Sequence, residues 1–304
     1  VWHLKLSRKK QTYLIAFCFL VVPLVLLSIF SYYPIVRGIT LSFADYNMLT
    51  GETKWVRLKN YRWLFNYKYF YISLANTLKY LIVVPFIQFT SIGLAVLVNQ
   101  KIPGIKFFRT LFYIPVITGS VIVSIAWRWI FDVDGILNYF LMSLNIIEEP
   151  VLWLLDKNVA LFSCMFVTFW RGLGYYMIIY LAGLQNIPSE LYEAAALDGA
   201  GSFKKFTKIT IPLLRPTMLL CFVLSSMAAL KVFEEIFLLT GGANQTTTLM
   251  FETYNLAFNR YQFGQSAAVG VIFSAFLIAL TLIQFKFFGL GGAGSEKKRK
   301  KTNK

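Results

Sequence analysis

Between Gln11 and Val36 the chain runs for 26 residues without a charged side chain. About 20 apolar residues in a helix cross the hydrocarbon core of a bilayer, so this stretch is long enough to span. In lipid every backbone N–H and C=O must be paired within the protein, which leaves helices or closed barrels. Segments of about ten residues with alternating polarity, as barrel strands require, are absent. The expected fold class is therefore all-α integral membrane. Composition agrees: 57% of the 304 residues are hydrophobic and only 14% are charged, against about 25% charged in soluble domains.

Six transmembrane helices are expected. The first is Gln11 to Val36, too long for the core of a signal peptide and without a small-residue cleavage site after it. Pro23 can kink it. A long polar and aromatic loop covers 37–79. The second span is Tyr80 to Gln100 and contains Pro85. The third, Thr110 to about Phe131, contains Pro115 and carries Arg128 near its far end. An acidic loop, 132–158, holds a short amphipathic helix, ILNYFLMSL. The fourth span runs from about Val159 to Leu184 with Arg171 near its middle. The fifth runs from about Leu213 to Leu239, and the sixth from about Gly264 to Phe287. Residues 1–12 read as an N-terminal tail, 13–288 as the six-helix domain and 289–304 as a basic tail.

The net charge of +16 would suggest a nucleic-acid partner in a soluble protein. In a membrane chain it reads as topology, because Lys and Arg concentrate on cytoplasmic loops. Six spans put both termini on one side. The termini and the loops on their side hold 18 of the 30 Lys and Arg residues, the opposite loops 11, and Arg171 lies alone within a span. Both termini and the 184–215 loop are thus expected in the cytoplasm. The tail from Lys297 to Lys304 is expected to attract anionic lipid.

Catalysis finds no support. The single histidine, His3, has no partner for metal chemistry, and the cysteines Cys18, Cys164 and Cys221 fall in apolar runs as small buried hydrophobes. A phosphate-binding Gly-x-x-x-x-Gly-Lys-Ser/Thr loop is missing, since Gly199-Ala-Gly-Ser-Phe-Lys has other spacing and no preceding strand. The chain is expected to bind no cofactor, no metal and no nucleic acid.

The most polar interior segment is ELYEAAALDGAGSFKKFTKITIPLLRP, Glu190 to Pro216. Ser189 can cap a helix that begins at Glu190, and Glu190 and Glu193 sit in its first turns, near the positive helix end. Ala194, Ala195 and Ala196 propagate helix and allow close approach of another surface. Gly199 and Gly201 stop it. A basic turn, FKKFTK, follows, and Pro212 stands at an early helical position of the next span. These residues fit either a docking surface or an amphipathic segment on lipid headgroups.

This loop resembles that of the permeases of binding-protein-dependent ABC importers. That family's pattern is Glu-Ala-Ala, three residues, Gly, nine residues, then Ile-x-Leu-Pro. The chain has Glu193-Ala194-Ala195, Gly199, Ile209 and Pro212, with Ile211 for the usual Leu. LAGLQNIPSELYEAAALDGAGSFKKFTKITIPLLRP is similar to the carbohydrate-uptake branch, as are WRGLGYYMIIYLAGL, KVFEEIFLLTGG and YQFGQSAAVGVIF. The likeness covers most of 74–288, and GGAN departs from it where a third Gly and a Pro are usual. The resemblance implies the transmembrane fold of a type I ABC importer and a permease role in sugar or oligosaccharide uptake. It implies a second permease subunit, usually a different chain, and two ATPase subunits that use ATP and Mg. It further implies an external solute-binding protein. Glu190, Glu193, Ala194, Ala195, Asp198, Gly199 and Pro212 become ATPase-coupling residues within a loop of about 185–212. Another small solute, such as a glycerol phosphate ester, or a stand-alone secondary transporter are the alternatives.

A solute path is read from helical faces. Arg171 would cost about 2.5–3.5 kcal/mol facing lipid, so it is expected to face the bundle interior or a water cavity. Thr168, Arg171, Gly172 and Tyr175 share one helical face and offer donors, a ring and a gap. Ser225, Ala229 and Val232 make a similar face on the fifth span, where small residues admit a helix or a solute. Lys231, Glu234 and Glu235 can pair with one another and are expected at the outer headgroups. Arg171 and the seven positive charges of the first outer loop hint at an anionic sugar.

Overall fold

The computed structural model describes residues 8–48, 50–100 and 103–287. His3 and the basic tail lie outside these residues. Among the described residues the fold is helical apart from one short hairpin and groups into two compact units, 8–66 with 253–272 and 67–252 with 273–287.

In the first unit, α1 (Arg8–Leu27) runs through a five-residue π turn, Ser28–Tyr32, into α2 (Tyr33–Ser42). Pro23 lies inside α1 without ending it. The irregularity comes just before Pro34, which has no N–H to continue the helical ladder. This span buries none of its most apolar stretch within the chain, and Cys18 is exposed rather than buried.

The predicted polar loop contains ordered structure. β1 (Ala44–Tyr46) pairs antiparallel with β2 (Thr53–Trp55), Ala44 opposite Trp55. In α3 (Lys59–Asn66) the buried Asn60 donates to the carbonyls of Ser42 and Ala44 at 3.0 and 2.9 Å. Tyr46 meets the ring of Phe263, edge on, at 5.8 Å.

In the second unit, α4 (Lys68–Tyr80) and α5 (Val83–Val98) together form the second span, so its helix starts a dozen residues earlier than expected. Pro85 cannot bond the Leu81 carbonyl. The join tightens instead, with Leu81 and Ile82 amides donating to Leu78 and Lys79. Arg109 reaches back to the Val98 carbonyl and closes the end of α5.

The expected third span is two helices, α6 (Ile105–Ile117) and α7 (Ser120–Ile130), which meet at 98°. Thr118 and Gly119 are both extended at the corner, one turn after Pro115. Pro115 removes a hydrogen bond there and Gly119 adds no side chain, so nothing holds the corner straight. Among the described residues, five helices are long and apolar enough to cross a membrane, or six if the bent pair counts as one.

The short helix α8 (Ile136–Ser143) follows, and its buried Asn138 fixes the next loop. It donates to the carbonyls of Val133 and Val151 and accepts from Trp153 Nε1. The fourth span is α9 (Ala160–Gln185). It packs chiefly against α5, with α6 and α12 (Ile211–Leu230) alongside. Gly174 allows the closest approach, since a Cβ there would lie 1.9 Å from the Phe112 carbonyl oxygen. Lipid supplies no hydrophobic drive between helices, so such backbone proximity and internal hydrogen bonds hold them together.

Between α9 and α12 stand α10 (Ser189–Leu197), α11 (Ser202–Lys205) and a second π turn, Phe206–Thr210. After α12 come α13 (Glu234–Leu239), α14 (Leu249–Tyr254), a third π turn at Asn255–Asn259 and α15 (Phe263–Phe287). The GGAN turn is left-handed at Gly241, Gly242, Asn244 and Gln245. Asn244 tolerates that geometry, and its side chain donates to the Leu154 carbonyl at 3.0 Å.

Candidate functional site

Two features concentrate polar chemistry, and both lie in the second unit. The first is the segment between α9 and α12. Pro188, extended, leads into α10, so Ser189 is the first helical residue and makes no side-chain cap, contrary to the expected capping role. The helix stops in a defined way. Gly199 has φ +70, its amide bonds the Ala196 carbonyl at 3.0 Å, and the Ala200 amide bonds Ala195 at 2.8 Å. This paired closure suits glycine because it needs a left-handed residue. A Cβ at Gly199 would meet nothing within 4 Å, so conformation rather than space selects glycine here.

None of the residues of α10 is buried. Glu190, Glu193, Ala194, Asp198 and Gly199 are exposed, and Ala195 and Pro212 are partly covered. Leu197 is 91% exposed and Phe203 80%, so the segment presents apolar as well as acidic side chains. It is tied to the foot of α12 by the Tyr192 hydroxyl, 2.8 Å from Thr210 Oγ1.

The second feature is a cavity of about 610 Å³. Its wall contains Thr168, Arg171, Gly172 and Tyr175 from α9 and Ser225, Ala229 and Val232 from the α12 segment. The two faces read separately in the sequence thus meet across one space. They contribute differently. Ala229 and Val232 are buried and apolar, and the Ser225 hydroxyl is taken by Gln88 Nε2 at 2.7 Å. Thr168 lies 3.4 Å from the Tyr80 hydroxyl. Gly172 leaves room for Ile87, whose Cδ1 would stand 3.2 Å from a Cβ.

The charged lining corrects one expectation. Glu234 and Glu235 pair with Arg171 rather than with Lys231, and all four residues line the cavity. Arg171 Nη1 donates to Glu235 Oε1 at 3.0 Å and lies 3.9 Å from Glu234 Oε2. Glu235 is only 9% exposed. The chain breaks helix at Lys231–Phe233, between α12 and α13, and of the two carboxylates that follow Glu235 is buried and Glu234 exposed. A lone cation in a span demands a counter-charge, so a signal for the pair existed in Arg171 itself.

A second polar group was not anticipated. Gln88 in α5 accepts from the Tyr180 hydroxyl and donates to Ser225 and to the Cys221 carbonyl, which ties α5, α9 and α12 beneath the cavity. Its signal was a glutamine inside an otherwise apolar run. Among the described residues no group of three or more His, Cys, Asp or Glu side chains is placed to hold a metal ion.

A polytopic helical chain with a charged internal cavity and an exposed helical break between spans has the form of a membrane transport component. The sequence comparisons give the family. Residues 13–289 match the binding-protein-dependent transport system inner membrane component family, and the chain belongs to it. It is accordingly a permease-type component and not an enzyme. A probable ABC transporter permease protein of Bacillus subtilis, YurN, is 33% identical over 92% of this chain and 98% of its own length. The lactose transport system permease protein LacF of Rhizobium radiobacter is 34% identical over 86% and 89%. The multiple sugar-binding transport system permease protein MsmF of Streptococcus mutans is 32% identical over 88% and 93%. In fold, the chain resembles a bacterial ABC transporter involved in import of the acidic polysaccharide alginate. That match has a TM-score of 0.81 at 24% identity and covers 93% of this chain and 97% of the other.

Proposed function

We propose that this chain is one of two pore-lining subunits of an ATP-driven importer for a sugar or oligosaccharide. An extracellular solute-binding protein delivers the solute. The partner permease is a different chain, and two ATPase subunits bind ATP and Mg at the cytoplasmic face. Both termini lie on that face, in keeping with the excess of Lys and Arg on their side. The curated relatives whose names state lactose, multiple sugars, diacetylchitobiose and arabinooligosaccharides support a carbohydrate.

The observation that carries the reading is α10. A nine-residue helix with no buried residue, closed by a rigid left-handed break, makes little sense as part of this chain's own core. It suits a lever seated in a cleft of another protein. In that role Glu190, Glu193 and Asp198 supply charge, Ala194 and Ala195 permit close approach, and Gly199 and Pro212 fix the ends. Closure of the ATPase pair moves α10, and Tyr192 passes that motion to Thr210 at the foot of α12. The α12 segment then shifts the wall of the cavity, where Thr168, Arg171, Gly172 and Tyr175 face Ser225, Ala229 and Val232.

Glu193→Lys tests this role. The purified importer should lose its ATPase subunits on size-exclusion chromatography, or hydrolyse ATP without uptake, while the affinity for the solute-binding protein stays unchanged. Retained coupling together with lost binding-protein affinity would contradict the assignment.

A further inference from the structure

We infer that the cavity is built for an uncharged solute and that Glu235 sets this selectivity. The inference rests on the importer reading above and concerns the class of sugar. The cavity wall carries two cations, Arg171 and Lys231, and two carboxylates, Glu234 and Glu235, so its formal charges cancel. An unpaired guanidinium lining such a space would attract an acidic sugar through charge-assisted hydrogen bonds. Arg171 is already paired, at 3.0 Å to Glu235 and 3.9 Å to Glu234.

An acidic solute that claimed Arg171 would strand Glu235. That carboxylate is 9% exposed, and it stands beside the fully buried Ile236 and near the buried Val232. Stranding a buried charge is more costly than the new pair is favourable. Glu235 thus acts as a built-in competitor for any anion.

A neutral sugar meets no such penalty. The guanidinium has five N–H donors in a planar fork, and Glu235 takes one of them. The remaining donors and the exposed oxygens of Glu234 offer both halves of a hydroxyl's hydrogen bonding. Tyr175, 43% exposed and with its ring set edge to face on Tyr176 at 5.0 Å, supplies a flat apolar wall for a sugar's C–H face. The solved alginate importer of similar fold therefore shares the scaffold with this chain but not the substrate class.

The test uses the purified importer without its solute-binding protein, so that only the transmembrane cavity selects. Equilibrium dialysis compares a panel of neutral gluco-, galacto- and arabino-trisaccharides with trigalacturonate. The wild type should bind at least one neutral trisaccharide about tenfold more tightly than trigalacturonate. Glu235→Gln should shrink that ratio by about fivefold or more, as the freed guanidinium accepts a carboxylate. Glu234→Gln, at a more exposed site that threatens folding less, should shrink it in the same direction by about twofold. Equal or tighter trigalacturonate binding by the wild type would overturn the inference, as would a ratio unchanged in both variants. Binding of no sugar, neutral or acidic, would also overturn the inference, and the carbohydrate reading is tested apart from it by uptake of the same panel by the full importer with its solute-binding protein.

Discussion

Two glycines show how differently one residue type constrains this chain. A Cβ at Gly174 would stand 1.9 Å from the Phe112 carbonyl oxygen, so Gly174→Ala must push α6 away from α9. Overpacking of this kind costs about 1–3 kcal/mol, and the thermal midpoint of the purified protein in detergent should fall. Gly199→Ala meets no atom but holds a φ of +70, which costs an alanine about 1–2 kcal/mol. Its effect should stay local: hydrogen exchange at the Gly199 and Ala200 amides should quicken while the thermal midpoint stays put. The reverse pattern would refute both assignments. Sequence alone identified Gly199, because helix-ending glycines follow a local pattern. It was silent on Gly174, because the need for close approach depends on which helix lies opposite. Arg171 was legible for the opposite reason, as the cost of a charge in lipid points inward whatever the partner. The pairing of Glu235 was misread because Lys231 lies one turn away in sequence, whereas Arg171 becomes its neighbour only through packing.

At the level of elements, the long spans were legible from their charge-free runs, and α9 and α15 match the expected bounds closely. What escaped was local irregularity. The 98° corner between α6 and α7 depends on Pro115, Thr118 and Gly119 acting together, and each alone is tolerated within a membrane helix. The hairpin at Ala44–Trp55 escaped because its strands are only three residues each and its first strand is tied down by Asn60 from the following helix, a contact that no local pattern announces. The joining of α5, α9 and α12 by Gln88 yields a direct prediction. Gln88→Leu removes hydrogen bonds to Tyr180, Ser225 and the Cys221 carbonyl. Orphaned buried polar groups cost about 1–3 kcal/mol each. The thermal midpoint should drop, and Gln88→Leu combined with Tyr180→Phe should cost less than the sum of the two single changes. Full additivity would show that the two side chains do not act together.

For the whole molecule, the proposed function separates energy from passage: in it this chain supplies the cavity wall and the lever α10, and the ATPase subunits supply the energy. The fold of the membrane domain is secure from the sequence family, whereas the way force enters and the solute's charge rest on α10 and on the Arg171–Glu235 pair. The most direct test is uptake of the bound sugar into proteoliposomes that hold the full importer and its solute-binding protein. Uptake should require ATP, vanish when the ATPase subunits are omitted, and show no response to an imposed proton or sodium gradient. Uptake driven by an ion gradient alone, without ATPase subunits, would contradict the account.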